Sequence, residues 1–328
     1  MTPAIEAAGR AGYEVGVVLE EPFNQVLGGN PYLSRIFTSG SGNKIVARLR
    51  LLRRIRQWHP DVAVDLHGGS TAAWLTRASG ARLRVGYAGG RNRALYNHRV
   101  RDSGQLWDVA RPHTVQHQLS PLKSLGIQVE PIPPLKVAVE SGAAQWARHW
   151  FEASGVGRPM VLIHPAAVFE TKQWAVEKFA ELAGQLASGG CGIVVTAGPG
   201  QQALLQRFDE LVTDRVATIV PPLPLDRFSA LAGLCDLYVG NDTGPTHLAA
   251  ALGRPIVVVF GSSDAEVWHP WGVPYRLLSA ELECIPCPGY YCLHYDEPRC
   301  IRSIGVGLAV EAARELLRES HEQTRRDR

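Results

Sequence analysis

Residues 236–261 have the sequence DLYVGNDTGPTHLAAALGRPIVVVFG, and this stretch decides the fold of the chain. Its apolar start, Leu237–Val239, ends in the glycine turn Gly240–Gly244, and Pro245 then opens an alanine-rich helix. A second apolar run, Ile256–Phe260, follows the helix. Strand, glycine turn, helix and strand are the repeating unit of a parallel α/β sheet, so the sequence predicts an α/β protein.

The glycine turn of this stretch also predicts an anion site, because open α/β sheets bind ligands at the carboxyl ends of their strands. The N–H groups of Thr243, Gly244 and Thr246 are expected to face outward with the positive end of the helix dipole, which favours phosphate. His247, in the first turn, can donate to a phosphate oxygen. Asp242 carries the charge of the anion itself, so we expect it to accept hydrogen bonds from hydroxyl groups or to cap the helix. A capped helix start with a satisfied histidine is the alternative interpretation.

The bulk composition describes a globular protein. The chain has 328 residues, enough for two domains, with 45% hydrophobic and 20% charged residues. No run of about 18 apolar residues occurs, and the N-terminus lacks the basic start and apolar core of a signal peptide, so we expect a cytoplasmic protein. The net charge of +3, without a basic patch interleaved with aromatic residues, argues against nucleic acid as a partner.

The stretch as a whole resembles the DSGPxHLAAALG signature of glycosyltransferase family 9, the bacterial heptosyltransferases of lipopolysaccharide core assembly. Segments similar to other family motifs cover most of residues 60–305. The resemblance implies a GT-B fold, in which two Rossmann-like domains with parallel sheets flank a cleft and the second domain holds a nucleotide-sugar donor. The segment Pro131–Pro134 is the linker candidate. We therefore expect an acceptor-side domain at 1–135 and a donor-binding domain at 136–328, which includes a Cys-rich segment and a C-terminal helix.

The segment HPAAVFETKQW, residues 164–174, resembles the family pattern hPGa…K.W. It implies that the ammonium of Lys172 neutralises the charge that builds on the departing diphosphate. The catalytic residues implied are Lys172, Asp242 and His247. The donor-binding residues implied around them are Ala167, Thr243, Gly244 and Pro245.

Gln201 and Gln202 follow another predicted strand, in a segment that resembles the family's tgGpeE motif. The family usually has a glutamate there to hold the ribose hydroxyls of the donor. An amide bonds a diol less strongly than a carboxylate does, so the identity of the nucleotide stays open.

The acceptor side is marked by DVAVDLHGGST, residues 61–71, which resembles a block of the family's first domain. The resemblance implies that Asp65, His67 and Ser70 face the acceptor. The alternatives are a cap at the strand end for Asp65 and an ordinary loop position for His67.

The N-terminal end departs from the family pattern. Family members begin with an apolar strand and a Gly-Asp loop, whose aspartate is taken as the general base for the acceptor hydroxyl. Only then follows a helix like TPAIEA, residues 2–7. Here the sequence contains neither the strand nor the loop. Either the reading frame starts upstream of Met1, which the other motifs favour, or the protein has lost its base.

Residues 44–58, KIVARLRLLRRIRQW, predict a basic amphipathic helix. Ile45, Leu49, Leu52 and Ile55 recur at helical spacing, with arginines between them. One interpretation is the solvated outer face of a helix that packs on a sheet. The other is contact with a phosphorylated acceptor or with anionic lipid at the inner face of the cytoplasmic membrane.

Two clusters raise the question of a metal. His113, Gln116 and His117 have no carboxylate or cysteine at ligand spacing, so we expect contact with an anionic acceptor there rather than with a metal. The second cluster has the spacing C-x2-C-x4-C-x7-C: Cys284, Cys287, Cys292 and Cys300. Buried or redox-sensitive thiols, a structural zinc site and a disulfide pair all remain open for it.

Together these features predict a glycosyltransferase that moves a heptose or a related sugar from a nucleotide-sugar to a lipopolysaccharide inner-core acceptor. The resemblance points to ADP-heptose as the donor. It implies direct displacement at the anomeric carbon with no metal or other cofactor, and no Asp-x-Asp motif for a divalent ion occurs. A nucleotide-sugar epimerase of the same fold and a nucleotide-sugar-binding protein with impaired catalysis are the alternatives.

Overall fold

The computed structural model describes residues 1–38, 44–212 and 216–326. The chain divides into two compact units, Met1–Pro133 and Pro134–Arg328. Both units are built from parallel strands that alternate with helices, as the sequence predicted. None of the described helices combines the length and the apolar character that a bilayer span requires.

The N-terminal unit contains two parallel sheets, one of two strands and one of three. Its elements in chain order are α1 (Thr2–Arg10), β1 (Val15–Leu19), β2 (Leu33–Thr38), α2 (Lys44–Gln57), β3 (Val62–Val64), α3 (Ser70–Ala78), β4 (Leu83–Tyr87), β5 (His98–Val100), α4 (Ser103–Trp107) and α5 (Thr114–Ser124). Strand β1 pairs with β2, and β4 lies between β3 and β5. Helix α5 packs against β4, β5 and α1, and α1 also packs on β1. The contact between α1 and α5 thus joins the two sheets into one unit.

The apolar residues of α2 divide between its buried and its exposed side. Ile45 and Leu49 are exposed, whereas the buried side consists of Ala47, Leu51 and Ile55. These three residues lie four apart and therefore follow one side of the helix. Leu51 and Ile55 pack against β2. Apolar side chains and arginines thus share the exposed surface at the start of α2.

The C-terminal unit contains one six-stranded parallel sheet in the order β11-β10-β9-β6-β7-β8. Its elements in chain order are α6 (Ser141–Ser154), β6 (Met160–His164), α7 (Val176–Ser188), β7 (Gly192–Val195), α8 (Gln202–Leu211), β8 (Thr218–Ile219), α9 (Leu225–Ala232), β9 (Leu237–Asn241), α10 (Gly244–Ala251), β10 (Ile256–Val259), α11 (Ala265–Trp268), β11 (Tyr275–Leu278), α12 (Arg299–Arg302) and α13 (Val306–Arg326). Strands β6, β9 and β10 are buried along their whole length, as expected for parallel strands with helices on both faces.

Two adjacent residues of β9 show that helices cover both faces of the sheet. Val239 belongs to the core cluster formed with α7 and α13, whereas the hydroxyl of Tyr238 meets Thr246 of α10. Neighbouring side chains of a strand point to opposite faces, so α10 and the pair α7 and α13 cover opposite faces of the sheet. The fully buried Trp174 completes this core and donates from Nε1 to the carbonyl of Ile304 at 3.1 Å.

The parallel register brings four strand ends to one edge of the sheet. His164 of β6 pairs with Gly240 of β9, and Asn241 pairs with Val259 of β10. On the other side of β6, Ile163 pairs with Val195 of β7. The loops that follow β7, β6, β9 and β10 therefore lie side by side in that order, which is where an α/β sheet binds ligands.

Candidate active site

The last residue of β9, Asn241, links the end of this strand to the loop after β6. Its fully buried side chain accepts from the backbone N–H of Trp174 at 3.0 Å and donates to the carbonyl of Pro165 at 2.9 Å. One amide thus satisfies two backbone groups of the loop after β6. The loop that carries Lys172 is thereby held against the turn that carries Asp242.

Lys172 and Asp242 form an ion pair at the centre of the site. The Nζ of Lys172 lies 2.7 Å from Oδ2 of Asp242, although the two residues are 70 positions apart in the chain. The carboxylate is almost completely buried, whereas a quarter of the lysine side chain is exposed. The lysine side chain is therefore partly accessible to an anion from solvent.

Two further groups surround the same carboxylate. His247 Nε2 lies 3.5 Å from Oδ1 of Asp242, and the hydroxyl of Ser263 donates to the carboxylate. Burial alone would raise the pKa of Asp242, but the hydrogen bond from His247, the charge of Lys172 and the hydrogen bonds from Lys172 and Ser263 together lower it to about 2. Asp242 is therefore ionised at any physiological pH.

The start of α10 differs from the prediction in two details. The N–H of Thr246 donates to the carbonyl of Thr243 at 3.1 Å, so it does not face outward as predicted. Asp242 does not cap the helix: the N-cap residue is Thr243, which makes no side-chain cap bond, and the Asp242 carboxylate meets Lys172 instead. The backbone donors at the helix N-terminus are then Thr243 and Gly244, beside the ion pair.

A hydrogen-bonded chain that the sequence did not suggest supports the loop of Lys172. The hydroxyl of Ser262 donates to Oγ1 of Thr171 at 2.9 Å, and Thr171 donates to the carbonyl of Gly289 at 2.8 Å. The N–H of Cys287 donates back to the carbonyl of Ser262 at 2.8 Å. A Cβ on Gly261 would lie 1.8 Å from the carbonyl oxygen of Thr171, so only glycine allows this close approach. A glycine directly after a predicted strand, Gly261, is the sequence feature that could have indicated this close approach.

The model of the family Glycosyltransferase family 9 (heptosyltransferase) matches residues 48–295, which is most of the chain and includes the whole site. The chain belongs to this family. Among its relatives, lipopolysaccharide heptosyltransferase 3 of Escherichia coli K12 is 26% identical over 277 residues, which are 79% of this chain and 76% of that protein.

Solved structures show the same fold. A family 9 glycosyltransferase from Veillonella parvula superimposes with a TM-score of 0.82 at 20% identity, over 97% of this chain and 92% of that one. The ADP-heptose lipopolysaccharide heptosyltransferase II of E. coli gives a TM-score of 0.77 at 21% identity, over 97% and 96%. The GT-B fold class predicted from the sequence is thus confirmed.

The other donor residues expected of a family 9 member lie around the same edge of the sheet. Pro245 is in the first turn of α10, and Ala167 is half-buried in the loop after β6. Gln201 uses its side-chain oxygen to accept from the N–H of Gly198 at 2.9 Å, within its own turn. Gln202 is exposed in the first turn of α8, so it is the amide better placed to meet a ligand.

The acceptor-side residues expected of a family 9 member lie in the other unit, and Asp65 has structural bonds there. Its Oδ1 accepts from the N–H groups of His67 and Gly68, each at 2.8 Å, and its Oδ2 accepts from the hydroxyl of Tyr96 at 2.7 Å. Asp65 is buried. These bonds match the alternative of a cap at the strand end. Ser70 starts α3 and its hydroxyl accepts from Asn92 at 3.3 Å.

The histidine cluster of the same unit also has a structural explanation. His113 caps α5: its Nδ1 accepts from the N–H of Val115 at 3.1 Å, and the side chain of Gln116 accepts from the N–H of His113 at 2.9 Å. His117 stacks on Tyr87 at 4.2 Å, and burial lowers its pKa. These contacts give both histidines a structural role, and the expected contact with an anionic acceptor stays a prediction.

The four cysteines of the Cys-rich segment are thiols in the structure. Cys300 is buried, and this burial is the main reason that the pKa of its thiol is raised. The charges of the nearby cysteine thiols raise the pKa further. Within residues 1–38, 44–212 and 216–326, no three or more histidine, cysteine or carboxylate side chains are grouped so that they could hold a metal ion.

Proposed function

We propose that this family 9 protein transfers a heptose from ADP-heptose to a lipopolysaccharide core acceptor. The observation that carries the proposal is the partly exposed side chain of Lys172, whose ammonium pairs with Asp242 just before the N-terminus of α10. A helix N-terminus and an ammonium at the carboxyl edge of a parallel sheet suit a diphosphate. The heptose and the acceptor are inferred from the lipopolysaccharide heptosyltransferases that the chain resembles.

The proposed reaction is a single displacement at the anomeric carbon of the donor. The acceptor hydroxyl forms the new bond to this carbon and gives its proton to a general base. The bond between the carbon and the diphosphate oxygen breaks, and its electron pair leaves with ADP. Lys172 and the N–H groups of Thr243 and Gly244 stabilise the negative charge that develops on the diphosphate.

Asp242 has a positioning role in this proposal. An ionised carboxylate offers about four acceptor positions, and Lys172, His247 and Ser263 occupy three of them. About one position is left for a sugar hydroxyl. The carboxylate thus aims the ammonium and the imidazole while it can still contact the donor.

We propose further that the leaving diphosphate needs no divalent ion, since Lys172 and the helix N-terminus supply the positive potential there. The start of α2 supports contact with a membrane surface. Ile45 and Leu49 are exposed beside exposed arginines, and such a surface suits anionic lipid.

A transfer assay tests these points together. The protein is given ADP-heptose, UDP-glucose or GDP-mannose, with a heptose-deficient lipopolysaccharide core acceptor in vesicles of neutral or anionic lipid, with and without a chelator. We expect transfer from ADP-heptose, no loss with the chelator, and a higher rate on anionic vesicles. Transfer from another donor alone, or binding of ADP-heptose without transfer, would contradict the proposed activity. A rate abolished by the chelator would contradict metal independence only.

A further inference from the structure

Two of the four cysteines in the Cys-rich segment lie on one bend of the chain, at Gly289. The N–H of Gly289 donates to Sγ of Cys287 at 3.4 Å. A Cβ on Gly289 would lie 2.6 Å from the carbonyl oxygen of Tyr291 and 3.6 Å from Cγ of Leu293. The residues on both sides of Cys292 therefore approach Gly289, so that the bend brings the two cysteines together.

These two thiols are accessible, whereas the fourth cysteine of the segment is not. Cys287 and Cys292 are partly exposed, and Cys287 lines a cavity of about 460 Å³ together with Lys172. Cys300 is buried, and the charges of the other three cysteines act on its thiol, an effect of groups that lie close together. Oxidation of a thiol depends on its exposure, so the accessible pair is the one that an oxidant reaches.

The bend that carries the two thiols also supports the loop of Lys172. Thr171, the residue before the lysine, donates to the carbonyl of Gly289 at 2.8 Å. Ser262 connects the same parts a second time, because its hydroxyl bonds Thr171 and its carbonyl accepts from the N–H of Cys287. A change in the shape of the bend therefore acts on the residue next to the proposed catalytic ammonium.

A second contact joins the Cys-rich segment to the same loop. Helix α12 begins one residue before Cys300 and packs against the short helical turn Glu170–Lys172. The segment thus supports the lysine turn from two places along the chain, the bend at Gly289 and α12.

We propose that Cys287 and Cys292 are a redox modification site, which a hydroperoxide converts to a disulfide and thereby lowers transfer activity. A disulfide holds its two Cβ atoms about 3.5–4.5 Å apart. This constraint acts on the bend whose Gly289 carbonyl holds Thr171, so oxidation disturbs the support of Lys172. The effect on transfer rests on the proposed function, whereas the formation of the disulfide does not.

The oxidation is balanced with hydrogen peroxide as the oxidant. The sulfur of Cys287 attacks one peroxide oxygen, the O–O bond breaks, and the other oxygen leaves as water with the thiol proton, which gives a sulfenic acid. The sulfur of Cys292 then attacks the sulfenic sulfur, the S–S bond forms and the S–O bond breaks. The second oxygen leaves as water with the proton of Cys292. The two thiols lose two electrons and the peroxide gains them, and a dithiol reductant reverses the change.

Peptide mapping and a transfer assay on the same samples test the proposal. The protein is treated with hydrogen peroxide, its remaining thiols are alkylated, and it is digested with chymotrypsin. Cleavage after Tyr290 and Tyr291 separates Cys287 from Cys292, so their disulfide appears as two linked peptides. We expect this linked pair, together with a transfer rate that falls about tenfold or more and recovers with dithiothreitol.

Two variants separate the disulfide from general oxidative damage. Cys292→Ser should transfer at the rate of the unsubstituted protein and keep that rate in peroxide, because Cys287 then lacks its partner. Cys191→Ser is the matched control: Cys191 is also partly exposed, but it lies directly before β7, at the opposite edge of the sheet. This control should respond to peroxide as the unsubstituted protein does.

The outcomes separate this proposal from the proposed function. The absence of linked peptides, or linked peptides with an unchanged transfer rate, would overturn the redox site. Equal inactivation of Cys292→Ser would also overturn it, since the loss would then not need the disulfide. If the reduced, unsubstituted protein transfers no heptose, the proposed function fails, and the linked peptides still decide whether the two thiols form a disulfide.

Discussion

Lys172→Ala is expected to lower kcat for heptosyl transfer by about 100- to 1,000-fold, the usual effect of removing one preorganised group that stabilises developing charge. The physical reason is the position of the ammonium, 2.7 Å from Asp242 and partly open to solvent. Charge grows on the diphosphate as the glycosidic bond breaks, so the loss should be larger in kcat than in KM. Steady-state kinetics with ADP-heptose and a core acceptor measure both values.

Two controls accompany this variant. Lys123→Ala removes a lysine that pairs with Glu130 and lies 4.0 Å from the centre of the Trp107 ring, and it should leave kcat unchanged, because Lys123 contacts none of the residues proposed to hold the diphosphate. Circular dichroism and urea unfolding of Lys172→Ala show whether the fold persists, since the variant leaves the buried Asp242 without its cation. A folded variant with full kcat would remove Lys172 from the mechanism.

Asp242→Asn is expected to have the second largest effect, on both activity and stability. The amide keeps the shape of the side chain but loses the charge that aims Lys172 and His247, so we expect kcat to fall about tenfold or more. The carboxyl pKa is lowered from 3.8 to about 2 in the folded protein, so the ionised group should contribute about 2 kcal/mol to the free energy of unfolding. This stabilisation is present above about pH 4 and is lost as the pH falls toward 2.

Urea unfolding at several pH values measures this contribution. At pH 7 the variant should be less stable than the unsubstituted protein, and the difference should shrink between pH 4 and 3. The control Glu177→Gln alters a largely exposed carboxylate that pairs with Arg207 at 3.4 Å, and it should change stability little at any pH. A stability difference that is constant with pH would contradict the ionised, paired state of Asp242.

The strand, turn and helix of residues 236–261 could be predicted because their signals are local. Gly244 and Pro245 mark the turn and the helix start, and continuous apolar runs mark the strands. Thr246 could not be placed in the same way. Its N–H closes a short turn with Thr243, and its hydroxyl bonds the carbonyl of Asn241, which depends on the exact geometry of the bend.

Local sequence patterns could not predict contacts between residues that lie far apart in the chain. Lys172 was marked by the family motif, but no periodicity predicts that it pairs with Asp242, because the pairing arises from strands β6 and β9 lying side by side. The bonds from Ser263 to Asp242 and from Thr171 to Gly289 have the same origin.

The buried face of α2 shows a second limit of prediction from sequence. The sequence showed Ile45, Leu49, Leu52 and Ile55 at helical spacing, but not which apolar residues would be buried. In the structure Ala47, Leu51 and Ile55 form the buried side, and Leu51 and Ile55 pack with Phe37 of β2. Packing partners, which the sequence of one helix does not contain, decide which apolar residues are buried.

The central claim is that the Lys172 ammonium and the N–H groups of Thr243 and Gly244 meet on one diphosphate. A crystal structure of the protein with ADP tests it most directly. The account predicts phosphate oxygens within hydrogen-bonding distance of Lys172 Nζ and of at least one of those two N–H groups. A diphosphate bound elsewhere, with Lys172 still held only by Asp242, would contradict it.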